Sequence, residues 1–342
     1  MKVGILSGGG DAPGINAVIR AVVRKGIQHY HDDIVGIKDG WRGLLEGEFL
    51  PLDLKSASGI LPRGGSILGT SRTNPFKQKS EARKILKNAK KNGIEAVVVI
   101  GGEDTLSVAY KMGEFGLKCI GVPKTIDNDL PGTDYTFGFN TAVAIATEAL
   151  DRLHTTAEAH HRVMILEVMG RYTGWIALEA GLAGGADIIL IPEKPFNIDE
   201  ICDYIRHRQK RGRNFSIIVV AEGAKPKGGK EIAYSESIDE FGHIRLGGIG
   251  YYLGKEIEKR LSIETRVVVL GHLQRGGSPT AFDRILATRF GIAAIDLVHK
   301  KKSGHMVAIK GNKIVSVPLK DVIGKRKTVD LELYDIASVF FG

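Results

Sequence analysis

A glycine-rich motif near the amino terminus has the composition of a phosphate-binding loop. SGGGDAPGINA, residues 7–17, places three glycines, including Gly10, between a short apolar run and a stretch with helical periodicity. Glycine lets a backbone approach an anion closely, and a helix start offers free N–H groups and a favourable dipole. The alternative is a tight turn without function, because neither GxGxxG nor the GK[ST] of a Walker loop is present.

A second glycine segment carries acidic residues. IGGEDT, residues 100–105, follows an apolar run and puts Glu103 and Asp104 after Gly102, where a helix should start. Acidic residues at a helix start can simply complement the dipole. Beside a phosphate site, a carboxylate such as Glu103 can instead hold Mg²⁺, which is usually bound by one or two carboxylates together with substrate phosphates.

A third segment, PKTIDNDLPGTDYTFGFNTA at residues 123–142, directly follows another apolar run. On an extended chain the spacing of Asp127 and Asp129 puts both carboxylates on one side. One of them could then take a proton while the other helps with metal or orientation. A solvated Asp-Asn-Asp turn is the alternative.

Arginine and histidine residues follow later apolar runs. They are Arg162, Arg171 in MGRYTG (169–174), Arg266, and His272 with Arg275 in GHLQRGG (271–277). Arginine binds phosphate bidentately, and neighbouring glycines allow access. A lone His272 would more often be a packed residue. With Arg275 three positions on, a phosphate-binding pair is favoured.

The elements that position these residues alternate between strand and helix. Predicted strands at residues 3–7, 96–100, 119–123, 162–168, 187–191, 216–221 and 266–270 alternate with helical stretches, the first two from about Gly14 and Asp104. This alternation predicts an α/β fold with mostly parallel sheets covered by helices. A length of 342 residues favours two lobes with the active site in the cleft between them. Ligands of such sheets bind beyond the carboxyl ends of the strands, where the motifs lie.

Composition excludes several classes of protein. The formal charge is +9, but the basic residues are scattered without an aromatic-interleaved stripe, so no nucleic-acid partner is expected. A positive field also suits small polyanionic substrates. No apolar run is long enough for a membrane span, and no signal-peptide region is evident. Cys119 and Cys202 lack partner spacing for a disulfide or metal site, which fits a cytoplasmic protein.

Taken in this order, the motifs resemble the phosphofructokinase family from Val3 to about Val322. The resemblance implies two lobes of mostly parallel sheet, formed by residues 1–138 with 250–302 for the phosphate donor and by 139–249 with 303–342 for fructose 6-phosphate. It also implies phosphoryl transfer to the 1-hydroxyl of that sugar with Mg²⁺, held in part by Glu103. The implied oligomer is a homodimer or homotetramer, in which Arg162 and Arg266 reach a neighbouring subunit's site.

The resemblance implies a role for each matching residue. Asp127 would be the general base, with Thr125 and Asp129 beside it, and Arg171 would stabilise the transferred group. The implied donor-binding residues are Gly10, Arg72, Gly102, Asp104 and Lys124. The implied sugar-phosphate residues are Arg162, Met169, Gly170, Glu222, Arg266, His272 and Arg275.

Two departures within the family concern donor and regulation. ATP-dependent members usually have glycine at the position of Asp104, whose carboxylate would repel an α-phosphate. The combination of Asp104 and Lys124 resembles that of the pyrophosphate-dependent subgroup. The alternative is an ATP-dependent enzyme. At the effector positions Arg20 and Arg24 match, whereas Leu54 and His154 stand in place of arginines, so control by nucleotide diphosphate or phosphoenolpyruvate is not expected. Asp187 could still hold an effector metal.

Two rival functions are less complete in their motifs. NAD kinases and diacylglycerol kinases resemble the chain at IGGEDT but lack TIDND followed by MGR and GHLQRGG. A non-catalytic sugar-phosphate sensor would be expected to have lost the base, yet Asp127, Asp129 and Arg171 are all present. Residues 223–242, rich in glycine and charge, are predicted to form an irregular surface excursion.

Overall fold

The computed structural model describes residues 1–229, 233–238 and 244–341. The chain divides into two compact units, as its length suggested. Unit 1 comprises Met1–Asn140 and Arg275–Arg326, and unit 2 comprises Thr141–Gln274 and Lys327–Gly342.

The strands are numbered in chain order. They are β1 Lys2–Ser7, β2 Asp33–Ile37, β3 Phe49–Leu52, β4 Ala96–Gly101, β5 Cys119–Thr125, β6 Phe137–Gly138, β7 Val163–Val168, β8 Ile188–Leu190, β9 Ser216–Ala221, β10 Ala233–Ile238, β11 Ile244–Leu246, β12 Thr265–Val269, β13 His305–Lys310 and β14 Lys313–Pro318.

The helices follow the same order. They are α1 Ile15–Tyr30, α2 Trp41–Glu46, α3 Lys79–Lys91, α4 Glu103–Glu114, α5 Phe139–His160, α6 Trp175–Ala183, α7 Ile198–Lys210, α8 Ile249–Leu261, α9 Ala281–His299 and α10 Leu331–Ser338, with short 3₁₀ helices at Gly271–Arg275 and Leu319–Asp321.

Unit 1 is built on an eight-stranded sheet of order β14-β13-β5-β4-β1-β2-β3, with β6 paired to β5. The central pairs are parallel, and β3 and β14 add antiparallel strands at the two edges. Strand β4 is buried along its whole length, as expected of a strand covered on both faces. One core of the unit joins this sheet to α1 and α9 through residues such as Ile5, Ile19 and Phe290.

Unit 2 contains a four-stranded parallel sheet of order β12-β7-β9-β8 and a two-stranded antiparallel sheet of β10 and β11. Alternate residues of its strands, such as Ile165 and Ile218, pack with apolar residues of α7 and α8, such as Ile201 and Leu253. Helix α6 packs on β8 and β9. Because β7, β9 and β12 are parallel, their carboxyl ends lie at one edge of the sheet.

The division of the carboxyl-terminal half differs from the expected one. Strand β12 pairs with β7, so residues 250–274 belong to unit 2 rather than to the first lobe. Strand β13 pairs with β5, so residues 303–326 belong to unit 1 rather than to the second lobe. The family resemblance led to the wrong division here, because strand pairing between distant segments decides it.

The seven predicted strands are all present, and the α/β prediction is correct. Within the predicted excursion at 223–242, residues 233–238 form β10, which pairs antiparallel with β11, whereas 230–232 and 239–242 lie outside the described residues. No helix formed by the described part of the chain has the length and apolar character needed to cross a membrane.

Candidate active site

The glycine loop that follows β1 is held by hydrogen bonds on two sides. The Gly8 amide donates to the carbonyl of Ile100 at 2.9 Å, which joins the loop to the end of β4. The Gly9 amide donates to the carbonyl of Ser71 at 2.9 Å, and the Thr70 hydroxyl donates to the Gly9 carbonyl at 2.7 Å. The loop is therefore fixed by the segment that carries Arg72.

Lys124 lies near the end of β5 and is only 4% exposed. Its ammonium donates to the carbonyl of Gly10. Burial, followed by the positive charge of Arg275, lowers the pKa of Lys124 to about 7; Arg72 acts in the same direction, and the charges of Asp11 and Asp127 oppose the shift. A buried ammonium among like charges is costly unless an anion accompanies it. The structure thus brings Lys124, Arg72 and Arg275 together around the glycine loop.

Gly10 lies against the Arg275 guanidinium, which a larger residue at this position would displace. A Cβ placed at Gly10 would overlap the Arg275 guanidinium. Arg275 also donates from Nη1 to the carbonyl of Asp11 at 3.2 Å. The family resemblance implies that Arg275 binds the sugar phosphate, whereas within unit 1 Arg275 contacts the glycine loop.

Gly102 lies beside Lys124, because β4 and β5 are parallel neighbours in which Gly101 pairs with Pro123. A Cβ at Gly102 would lie 3.5 Å from the carbonyl oxygen of Lys124. Glu103 and Asp104 form the first turn of α4, where the dipole favours carboxylates. The Glu103 Oε1 atom also accepts a hydrogen bond from the Gly324 amide at 3.1 Å.

The carboxylates of the TIDND segment follow β5. The Thr125 hydroxyl oxygen accepts a hydrogen bond from the Asp127 amide at 3.1 Å. Asn128 adopts a left-handed conformation, with φ of 51°, and its side chain accepts from the Thr136 amide at 3.1 Å. This buried asparagine fixes the turn that presents the aspartates on either side of it.

Asp129 is the strongly perturbed carboxyl of this segment. Burial and, after it, the charge of the Asp127 carboxylate raise its pKa to about 7, while the charge of Arg326 and a hydrogen bond from Thr125 oppose the shift. The electrostatic effect of Asp127 means that the two carboxylates lie close together, although the chain between them turns at Asn128 and is not extended as the spacing argument assumed. Such a pair favours a positive ligand or a shared proton.

In unit 2 a second group of predicted residues meets at the carboxyl ends of β7, β9 and β12. Met169, Gly170 and Arg171 follow β7, Glu222 follows β9, and His272 lies in the 3₁₀ helix after β12. The Glu222 amide donates to the Val168 carbonyl at 2.8 Å. Gly170 has a φ of 142°, and a Cβ there would come within 2.6 Å of the Thr173 carbonyl oxygen, so this turn requires glycine.

Arg162 and Arg266 are not part of that group. Arg162 directly precedes β7 and Arg266 is the second residue of β12, so both lie toward the amino ends of their strands. Glu264 holds them together: its Oε2 atom is 2.6 Å from Nε of Arg162, and its Oε1 atom pairs with Arg266. Strand β7 has six residues. Arg162 and Met169 are therefore roughly 20 Å apart at a rise of about 3.3 Å per residue.

The possible effector-metal residue Asp187 is engaged within its own unit. Its Oδ1 atom is 2.7 Å from Nη1 of Arg208, and its Oδ2 atom accepts from the Ile217 amide at 2.8 Å. Burial raises the pKa of Asp187, and the charge of Arg208 opposes that shift. Asp187 directly precedes β8, and its two oxygens connect that strand to Arg208 of α7 and to Ile217 of β9.

The polar residues that fix these segments were not found from the sequence. Thr70 and Ser71 hold the glycine loop, and Glu193 accepts from the Gly174 amide at 3.0 Å, next to the MGRYTG turn. Gln274 accepts from the Met169 amide at 3.2 Å. The available signal was adjacency: Thr70 and Ser71 precede Arg72, and Gln274 lies between His272 and Arg275.

Comparisons with known proteins agree on one family. The family model described as Phosphofructokinase matches residues 2–298. The chain is 58% identical to a Streptomyces coelicolor protein named pyrophosphate–fructose 6-phosphate 1-phosphotransferase, and 50% identical to a Mycobacterium leprae protein named ATP-dependent 6-phosphofructokinase, with full coverage of both chains in each case. The solved phosphofructokinase of Saccharomyces cerevisiae is 31% identical with a TM-score of 0.84, over 98% of this chain and 50% of that chain.

The chain belongs to the phosphofructokinase family. The yeast structure spans about twice the length of this chain, whereas the bacterial relatives match it from end to end. Relatives named for both phosphate donors cover the whole chain, so family membership leaves the donor open.

Because the pKa of Lys124 is lowered to about 7, its charge should be lost as the pH rises through that value. Binding of a polyanion to the free enzyme needs the ammonium form. We therefore expect kcat/KM for the phosphate donor to fall as the pH rises above about 7. In Lys124→Ala the value should be lower at neutral pH, and this descending limb should disappear. Initial rates of both proteins, measured across pH with the same substrates, distinguish titration of Lys124 from titration of the donor. If the variant keeps the same descending limb, the limb is due to a group other than Lys124.

Proposed function

We propose that this chain transfers a phosphoryl group reversibly from pyrophosphate to the 1-hydroxyl of fructose 6-phosphate, giving fructose 1,6-bisphosphate and phosphate. The observation that carries the proposal is the convergence of Lys124, Arg72 and Arg275 on a glycine loop beside paired carboxylates. Three cations around one glycine loop suit a small, highly charged donor. With pyrophosphate as the donor the step is expected to lie near equilibrium, so the reaction would serve both glycolysis and gluconeogenesis.

The proposed chemistry needs one base and several positive charges. Asp127 takes the proton of the 1-hydroxyl as that oxygen attacks a phosphorus atom of pyrophosphate. The bond from that phosphorus to the bridging oxygen breaks, and phosphate leaves. Lys124 and Arg72 hold the donor, and Arg171 stabilises the group in transfer. Met169, Gly170, Glu222 and His272 bind the sugar phosphate. Positioning and charge carry such a reaction without a covalent intermediate.

The carboxylates fit Mg²⁺ as the metal of this reaction. Glu103 lies in the first turn of α4, and the pKa of Asp129 is raised by burial and by Asp127, as expected of acidic groups that a cation would neutralise. No group of three potential ligand side chains occurs among the described residues. Mg²⁺ often takes one or two protein carboxylates and completes its shell with phosphate oxygens and water. Glu103 would hold the ion, which would supply charge neutralisation at the donor.

The preference for pyrophosphate over ATP is proposed from Asp104 and Lys124. Asp104 follows β4 and Lys124 lies near the end of the neighbouring parallel strand β5, so both are at the same edge of the sheet. The Asp104 carboxylate would repel the α-phosphate of a nucleotide, while Lys124 would contact the terminal phosphate of a small donor. An ATP-dependent 6-phosphofructokinase is the second candidate, because a relative of that name matches the whole chain.

We further propose a homodimer or homotetramer in which Arg162 and Arg266 serve the site of a neighbouring subunit. The separation of about 20 Å along β7 puts Arg162 too far from Met169 for both to bind one hexose phosphate in the same chain. Glu264 keeps the two guanidinium groups together, ready for a phosphate of the adjacent copy.

Removal of the base tests the mechanism. We expect Asp127→Ala to bind fructose 6-phosphate almost normally but to lower turnover by roughly 10²–10⁴-fold, as is typical of losing a general base. Calorimetric binding of the sugar phosphate, combined with kcat measurement, separates binding from chemistry. A purified, folded variant with wild-type turnover would remove Asp127 from this role.

Two substitutions at one position test the donor assignment. Asp104→Gly removes both charge and volume, whereas Asp104→Asn removes the charge and keeps the volume. We expect kcat/KM for ATP to rise in both variants, more in the glycine variant, and kcat/KM for pyrophosphate to change less. Lys124→Ala should mainly weaken pyrophosphate use. If neither Asp104 variant gains activity with ATP, this carboxylate does not select the donor.

Mixing two inactive variants tests the shared site. If each site combines Asp127 of one chain with Arg162 of its neighbour, a hybrid of Asp127→Asn and Arg162→Ala chains contains some sites in which both residues are intact. We expect the mixture, after subunit exchange, to recover activity that neither variant has alone. Exchange is verified with differently tagged chains. Verified hybrids without recovered activity would mean that Arg162 serves its own chain or none.

A further inference from the structure

Gln274 is a completely buried polar residue at the end of unit 2, with an exposed fraction of 0%. Its amide oxygen accepts from the Met169 amide at 3.2 Å, and its amide nitrogen donates to the Gly271 carbonyl at 3.0 Å. Buried polar groups normally have such partners. Both functions of this side-chain amide are used: the oxygen bonds the distant Met169 segment, and the nitrogen bonds the first residue of the 3₁₀ helix to which Gln274 itself belongs.

The two segments carry the sugar-phosphate residues of unit 2. Met169 begins the turn that contains Gly170 and Arg171, and Gly271 begins the 3₁₀ helix that contains His272. Backbone hydrogen bonds already tie the first segment to β9, because the Gly223 amide donates to the Gly170 carbonyl at 3.1 Å. The side chain of Gln274 adds a direct link from that segment to the 3₁₀ helix.

We propose that Gln274 is a positioning residue for the sugar phosphate: it fixes the spacing between the Met169–Gly170–Arg171 turn and His272. The inference rests on the proposed function, since it takes these two segments to be the fructose 6-phosphate contacts. Gln274 itself touches no substrate in this account. It acts through the amide of Met169 and the carbonyl of Gly271.

Glutamine suits this position because one side chain must both accept and donate. Glutamate can accept from the Met169 amide but, when ionised, cannot donate to the Gly271 carbonyl, and it adds a buried negative charge near a phosphate site. Methionine has a similar length and makes neither hydrogen bond. These two substitutions therefore separate the loss of one hydrogen bond from the loss of both.

The experiment compares Gln274→Met and Gln274→Glu with a matched control, Tyr334→Phe. The Tyr334 hydroxyl is buried and donates to the Ile189 carbonyl at 3.0 Å, so its loss removes a buried hydrogen bond of the same unit away from both segments. We expect KM for fructose 6-phosphate to rise roughly tenfold in the Gln274 variants, with KM for pyrophosphate changed by less than about twofold. The control should lower the melting temperature without altering either KM.

Hydrogen exchange supplies a readout that does not depend on activity. The Met169 amide should exchange faster in Gln274→Met than in the wild type, whereas in Gln274→Glu it should stay protected by the remaining acceptor. Equal rises of both KM values, or an unaltered KM for fructose 6-phosphate in both Gln274 variants, would overturn the positioning role while leaving the proposed function intact. A wild type that neither binds nor phosphorylates fructose 6-phosphate would overturn both.

Discussion

The buried ammonium of Lys124 is the interaction on which the candidate donor site depends. Lys124 is 4% exposed, is bonded to the carbonyl of Gly10 and lies close to two arginines, so its charged form is costly even though Asp11 and Asp127 supply some negative charge. The lowering of its pKa to about 7 records that cost. A polyphosphate would relieve it by adding negative charge among the three cations. The folded protein thus holds a cluster of cations that favours anion binding.

Several features of unit 1 follow from the need to keep this cluster in place. Strands β1, β4 and β5 are parallel neighbours, so the glycine loop, the start of α4 and the carboxylate turn all emerge at one edge of the sheet. The Arg275 guanidinium occupies the space beside Gly10 that a side chain there would enter. Thr70 and Ser71 fix the loop from its other side. Within this arrangement, Asp104 is the side chain proposed to select the phosphate donor.

The sequence was sufficient for the parts of the fold that depend on local patterns. Strands such as β4 and β9 are continuous apolar runs, and the residues after them were correctly expected at strand ends. The division into units could not be obtained in this way, because the partners of β12 and β13 are decided by pairing over long sequence separations. Gln274 and Thr70 were missed for the same reason: their hydrogen bonds join segments that are distant in sequence, and no local periodicity marks them.

The reverse reaction gives the most direct test of the central claim that this site uses pyrophosphate. Radiolabelled phosphate and fructose 1,6-bisphosphate are incubated with the enzyme and Mg²⁺, without nucleotide, and labelled pyrophosphate is measured. The account predicts that labelled pyrophosphate forms at a rate that depends on fructose 1,6-bisphosphate and is lowered in Lys124→Ala. Absence of labelled pyrophosphate, with ready formation of ATP when ADP is supplied instead, would contradict it.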